Sequence, residues 1–349
     1  TILCSPNFGY KHVLKRFKPE NQSSLDLSCV RLIFNGAEPI SADLCREFNA
    51  IMKPFGLSDN AMFTVYGLAE ACLGVSFPKL GQALSTLHVL RRSLIEGQPI
   101  TIIDQATDQS IELVRLGQAI TGTEISIVDQ YSKPVNENIV GRVLIKGDNV
   151  TQGYYQEAAL NKRLISADGW LDTGDQGLIN EEQLIITGRT KDLVIVNGQN
   201  YYAPDLEAVC ENVNGIELGK VAVCGIANSQ NAIDDLVVFV LYRGNLEGFY
   251  QTTIDVRRQL AEKSGLDVDY VIPIKTVPKT TSGKVQRFAL TEQFINGDFD
   301  EVVAALTELS ETRSSNNVAA GTPIERVLLE ICHGVVADQK IQLQDNIFD

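Results

Sequence analysis

A mixed α/β protein of more than one domain is predicted by three observations. Residues 30–34, a helical pattern over 41–55, and residues 62–65 stand in strand, helix, strand order, the sign of a layered α/β architecture. Short β-branched runs bounded by Gly or Asp follow at 124–128, 142–145, 184–187 and 193–196, each of strand length. From residue 192 onward the texture tightens into a small α+β alternation, long enough for a domain of its own.

Each element has its own warrant. In 41–55 the apolar residues Leu44, Phe48, Ile51 and Met52 recur at helical spacing behind Ser41, a residue type suited to capping a helix N-terminus. In the smaller unit, helix candidates at 204–213 and 253–264 alternate with strand candidates at 220–226, 236–242 and 270–276. The polar, small and aperiodic stretch 311–321 predicts a flexible linker. Beyond it Thr322 and Pro323 open a helix carrying Ile324, Val327, Leu328, Ile331 and Val335, since Pro suits the first helical position. No internal repeat is present.

Composition narrows the function classes. Of 349 residues, 44% are hydrophobic and 21% charged, which is ordinary for a globular protein. The net charge of −14 disfavours nucleic acid and anionic membrane surfaces as partners, because the long-range field repels them. No apolar run is long enough to span a membrane, and the first residues carry no secretory pattern, so a cytoplasmic location is expected. The seven cysteines (4, 29, 45, 72, 210, 224, 332) form no CxxC pair and the three histidines lie far apart. A zinc site or disulfide framework is therefore not expected, and most of the cysteines are expected to be small buried hydrophobes.

Single Gly-rich pieces are weak signals. TTSGK at 280–284 lacks the earlier Gly and the following Ser/Thr of a P-loop, and neither GxGxxG nor GxSxG occurs. Five strings taken in order are more specific: FNGAEP at 34–39, YGLAEA at 66–71, GWLDTGD at 169–175, GRTKD at 188–192 and GKVQR at 283–287. This series resembles the adenylate-forming superfamily, which holds acyl-CoA ligases, amino-acid adenylation domains and fatty acyl-AMP ligases. The resemblance covers residues 1–296.

The resemblance implies a division of the chain and a set of roles. Residues 1–191 correspond to the rear of the large AMP-binding domain, 192–296 to a small mobile C-terminal domain, 297–321 to a helix and linker, and 322–349 to the start of a helical acyl carrier domain. Attack of a carboxylate on the α-phosphorus of ATP needs charge neutralisation and positioning rather than a protein nucleophile. Gly36, Ala37 and Glu38 correspond to the adenine-lining segment, with Tyr66 and Gly67 beside the ring; taken alone, Gly36 is equally well a strand-end turn. Glu70 corresponds to the Mg²⁺ ligand, a hard oxygen donor suited to that ion. Asp175 corresponds to the acceptor for both ribose hydroxyls and Arg189 to a second ribose or phosphate contact. Asp192 corresponds to the hinge, and Lys284 to the residue that binds the α-phosphate and the carboxylate under activation. Gly198, Gln199 and Asn200 correspond to the approach of the phosphopantetheine thiol.

Within the superfamily, the wording is closest to fatty acyl-AMP ligases. Ala69 stands where acyl-CoA ligases carry Thr, and SPNFGY at 5–10 resembles the acyl-pocket entrance of that branch. HVLRRSLIEG at 88–97 resembles the branch insertion that packs on the small domain and disfavours free CoA, or else forms an ordinary surface hairpin. The resemblance therefore implies a fragment of an ATP- and Mg²⁺-dependent enzyme that makes acyl-AMP from a fatty acid. The acyl group would then pass to a carrier in cis, feeding downstream synthase modules of lipopeptide or polyketide assembly. The loop for the β- and γ-phosphates and the Ser that bears phosphopantetheine have no counterpart in these residues, so adenylation by this chain alone is not expected. An acyl-CoA ligase is the alternative within the class, and a non-catalytic binding module the alternative outside it.

Overall fold

The computed structural model describes residues 1–22, 24–107, 109–196, 199–226, 234–279 and 285–317. It confirms a mixed α/β architecture with two compact units, one holding the described residues of 1–208 and the other those of 209–226 and of 235–317.

The first unit opens with β1 (Ile2–Ser5), α1 (Asn7–Arg16), β2 (Leu32–Asn35), α2 (Ala42–Met52) and β3 (Met62–Thr64). The three strands form one parallel sheet in the order β1-β2-β3, and the two helices supply the crossovers that parallel pairing requires. The α2 face Leu44, Cys45, Phe48 and Met52 packs on Ile33 and Met62. Ser41 Oγ accepts from Leu44 N at 3.2 Å, the cap foreseen from sequence.

Antiparallel pairing takes over next. Strands β4 (Tyr66–Leu68) and β5 (Leu73–Phe77) pair; β6 (Thr86–Leu90) and β7 (Ser110–Val114) form a second pair; β8 (Gln118–Ala119) returns to β5. A four-stranded sheet comes after them, built from β9 (Thr123–Val128), β10 (Gly141–Gly147), β11 (Leu171–Asn180) and β12 (Gln183–Arg189), with α3 (Ala158–Leu164) between β10 and β11. Its inward residues Ile127, Val143, Ile145, Leu171 and Leu184 share a core with Tyr66 and Val75. The pair β13 (Leu193–Val196) and β14 (Gln199–Tyr202) leads into α4 (Ala203–Cys210).

In the second unit β15 (Val221–Ile226), β16 (Asp235–Leu241) and β17 (Tyr270–Ile274) form one sheet, antiparallel on one side of β16 and parallel on the other. The run Leu236 to Val240 is buried throughout, as a central strand covered on both faces should be. The helices α5 (Leu246–Ser264), α6 (Arg287–Ile295) and α7 (Asp300–Asn317) complete the unit, and Phe294 and Phe299 pack on Phe239.

Several expectations need correction. Helix α5 starts at Leu246 rather than 253, because Asn245 caps it by accepting from Gly248 N at 2.9 Å. The expected linker from 311 is helical as far as Asn317: α7 has Asp300 and Glu301 in its first turn and packs Val302 and Val303 on the sheet core, and the helix runs on from that anchor. Of the six described cysteines only Cys45, Cys210 and Cys224 are buried, while Cys4 lies on the exposed edge strand and Cys72 in a tight turn. The carrier expectation at 322–349, Lys284 and Gly198 lie outside the described residues. By contacts, the compact units part at 208/209. Residues 193–208 pack with the first unit because Tyr202 reaches back to the sheet, its hydroxyl 3.0 Å from both Gln176 Oε1 and Thr187 Oγ1. Among the described residues no helix is long and apolar enough to cross a membrane.

Gly188 makes that return possible. A Cβ there would lie 2.0 Å from the Tyr202 ring, so Gly188→Ala must expel the ring and strand two buried polar groups. The expected loss is about 3 kcal/mol of stability, read as a lower urea midpoint.

Candidate active site

The site grows from a carboxylate at the middle of β11. Asp175 is only 4% exposed, and an ion so placed needs partners to offset lost hydration. Tyr66 Oη donates to its Oδ2 at 2.6 Å, and Arg189 Nε donates to its Oδ1 at 2.7 Å. Asp175 and Arg189 face each other as register partners in the β11–β12 ladder. Tyr66 comes from β4, brought in by the shared core. Gly174, left-handed at φ 72°, turns the chain just before Asp175, and Thr173 Oγ1 accepts from Asp175 N at 3.1 Å. Burial pushes the Tyr66 phenol well above 10, with the Asp175 charge acting the same way.

Two glycines bring the other strings to this carboxylate. A Cβ on Gly36 would lie 2.7 Å from Val65 O, the carbonyl just before Tyr66. A Cβ on Gly67 would lie 1.6 Å from Leu73 O, so close pairing of β4 with β5 requires glycine there. Both positions therefore serve backbone approach within the protein. Ala37 is left-handed at φ 69°, a costly conformation outside glycine. Glu38 is exposed, and its Oε1 accepts from Phe8 N at 2.8 Å.

Glu70 sits in a short 3₁₀ turn that ends in the left-handed residues Cys72 (φ 50°) and Leu73 (φ 98°). Local strain of this kind persists only where neighbours over-determine it. They do here: Thr151 N donates to Glu70 O at 2.7 Å, while Asn149 Nδ2 donates to Ala71 O at 3.1 Å and Gly74 O at 2.9 Å. Tyr154 Oη donates to Glu70 Oε1, which pushes the Tyr154 phenol up to about 12. One partly exposed carboxylate fits a Mg²⁺ ion that takes its remaining ligands from phosphates and water.

Asp192 ends the 3₁₀ turn Thr190–Asp192, and its charge acts on Arg189 together with that of Asp175. Gln199 and Asn200 open β14. Asn200 Nδ2 donates to Leu94 O at 2.9 Å, and Arg91 lies 5.5 Å from the centre of the Tyr201 ring. Arg91 and Leu94 of the 88–97 segment thus contact residues 200 and 201. The Tyr66 ring shares the buried core and its hydroxyl serves Asp175. Sequence reasoning did not single out Asn149 or Tyr154; they act through backbone carbonyls and a single hydroxyl, which leave no spacing pattern.

Residues 1–155 of the chain, which hold the left-handed loop and the strained turn bearing Glu70, match the pattern of the AMP-binding enzyme family. Over 325 residues the chain is 30% identical to the medium-chain fatty acid–acyl-carrier-protein ligase JamA of Moorena producens, covering 88% of this chain and 54% of JamA. A 4-hydroxyphenylalkanoate adenylyltransferase of Mycobacterium marinum is 31% identical over 317 residues, 85% of this chain and 50% of that protein. A solved fatty acyl-adenylate ligase, from work on the E. coli and L. pneumophila enzymes, superposes with a TM-score of 0.75 at 27% identity, over 86% of this chain and 54% of that one. The chain spans about half the length of these relatives.

Removing the Tyr66 hydroxyl tests the carboxylate's support. Tyr66→Phe is expected to cost about 2 kcal/mol in urea unfolding at pH 7, since a buried acceptor loses its donor. The folded phenol titrates above its unfolded value of 10.0, so its contribution is whole below about pH 10 and fades above it. The gap between wild type and variant should narrow as the pH rises past that value.

Proposed function

We propose that this chain is part of a fatty acyl-AMP ligase that activates a fatty acid with ATP and hands the acyl group to a carrier-bound phosphopantetheine thiol. The observation that carries the reading is the Tyr66–Asp175–Arg189 cluster. Asp175 uses one acceptor site on each oxygen and keeps further lone pairs for a ribose diol. Arg189, whose side chain is 47% exposed, is the group that shifts to admit it and can follow a phosphate. The 36–38 loop then borders the base. Glu70 holds Mg²⁺, which supplies charge neutralisation on the phosphates when bound, and Lys284 binds the α-phosphate and the acyl carboxylate.

The choice of branch rests on Ala69, on SPNFGY at 5–10 and on the contact of the 88–97 segment with Asn200 and Tyr201. The names of JamA and of the fatty acyl-adenylate ligase agree with it. Transfer to a carrier in cis, through a thiol approach at 198–200 with Asp192 as hinge, completes the proposal, in a cytoplasmic setting that feeds lipopeptide or polyketide synthesis.

Calorimetric titration of the 349-residue chain with AMP tests the site. Wild type is expected to bind, and Asp175→Asn to bind at least about tenfold more weakly, the worth of one charged hydrogen bond. No heat from wild type, or equal affinity in the variant, defeats the reading. In an intact enzyme holding this chain, acyl transfer to holo-carrier should far exceed transfer to free CoA. Efficient CoA thioester formation would select the acyl-CoA ligase alternative.

A further inference from the structure

The start of α1 and the 36–41 connection are joined by more contacts than their separation in sequence suggests. Helix α1 has no side-chain cap of its own: its N-cap is Pro6, and no acidic residue stands in its first turn. The missing acceptor comes from Glu38, whose Oε1 takes Phe8 N at 2.8 Å. Asn7, the first residue of α1, grips the same connection at both ends. Its Nδ2 donates to Pro39 O at 2.5 Å, and its Oδ1 accepts from Asn35 Nδ2 at 2.8 Å and Ser41 N at 3.4 Å. Asn35 is fully buried at the end of β2, so the grip is anchored in the sheet. Between the anchors lie Gly36, pressed on Val65, and left-handed Ala37.

From this geometry we infer that Asn7 is a positioning residue for the nucleotide base, acting through the 36–38 loop without touching the ligand. The inference rests on the proposed reading of that loop as the wall beside adenine. Only a side chain with both a donor and an acceptor can hold Pro39 O and Asn35 Nδ2 together, and an amide does so. The pair ties the SPNFGY string to the base wall, so a change at the expected acyl entrance is felt at the adenine. Glu38 correspondingly spends its carboxylate on α1, where the helix dipole favours negative charge.

The test separates base from sugar. AMP is added to the full chain, and saturation-transfer NMR compares the adenine H2 and H8 signals with the ribose H1′ signal, alongside the affinity. Asn7→Ala is expected to weaken AMP about tenfold, equivalent to one good hydrogen bond, and to lower the adenine signals relative to H1′, because the Asp175 cluster is untouched. Asn7→Asp keeps the acceptor for Asn35 but loses the donor for Pro39, so it should fall between wild type and Asn7→Ala. If Asn7→Ala does not fold, Asn7→Asp decides alone. Wild-type binding with unchanged affinity and unchanged adenine-to-ribose ratio in the folded variants overturns the role of Asn7. Absence of AMP binding by wild type overturns the underlying reading of the site, and this inference with it.

Discussion

A carboxylate that is almost out of contact with water can keep its charge only if the protein brings donors to it, and Asp175 imposes that condition on the first unit. One donor comes from the neighbouring strand through ladder register, the other from Tyr66, 109 residues earlier in the chain. Supplying the second means that the β4–β5 layer and the four-stranded sheet must share one core, which they do around Val75, Ile145 and Leu171. Three of the glycines in the motif strings answer a related demand for close approach. Gly36, Gly67 and Gly188 lie where a single added carbon would push apart two elements that meet around this carboxylate.

The site joins two kinds of support. Around Asp175 the partners are side chains in a dry setting, where each hydrogen bond is strong and each unmade one costly. Around Glu70 the turn is held through its backbone carbonyls, by Asn149 Nδ2 and Thr151 N, and it contains or adjoins two left-handed residues. A turn so constrained presents its carboxylate in one direction. That is what metal and phosphate chemistry requires, because binding energy is then not spent on ordering the ligand set.

Much of the fold was legible in the sequence. Period-two and period-3.6 patterns located β2, α2, β3 and the strands of the second unit, because their burial is one-sided or complete in the regular way. The elements that escaped were those whose order comes from partners. β11 carries Thr173, Gly174 and Asp175 and looks like a loop by composition; pairing on both edges makes it a ten-residue strand. The last turns of α7 extend a helix whose anchor lies further back, at Val302 and Val303. Propensity is a weak guide where packing or continuity decides.

The candidate site divides in the same way. Asp175, Arg189, Glu70 and Tyr66 could be picked out from ordered strings, since their residue types and neighbours in sequence are distinctive. Sequence by itself thus determined which groups the proposed chemistry would draw on, the acidic character of the chain and the class of fold. Tertiary structure alone decided what those groups do to one another: that Tyr66 donates to a buried carboxylate, that Glu38 caps a distant helix, and that Asn7 and Tyr154 take part. The reason is physical. Hydrogen-bond partnership depends on angstrom-scale approach between elements, and that approach is set by which apolar faces share a core, a property no local string contains.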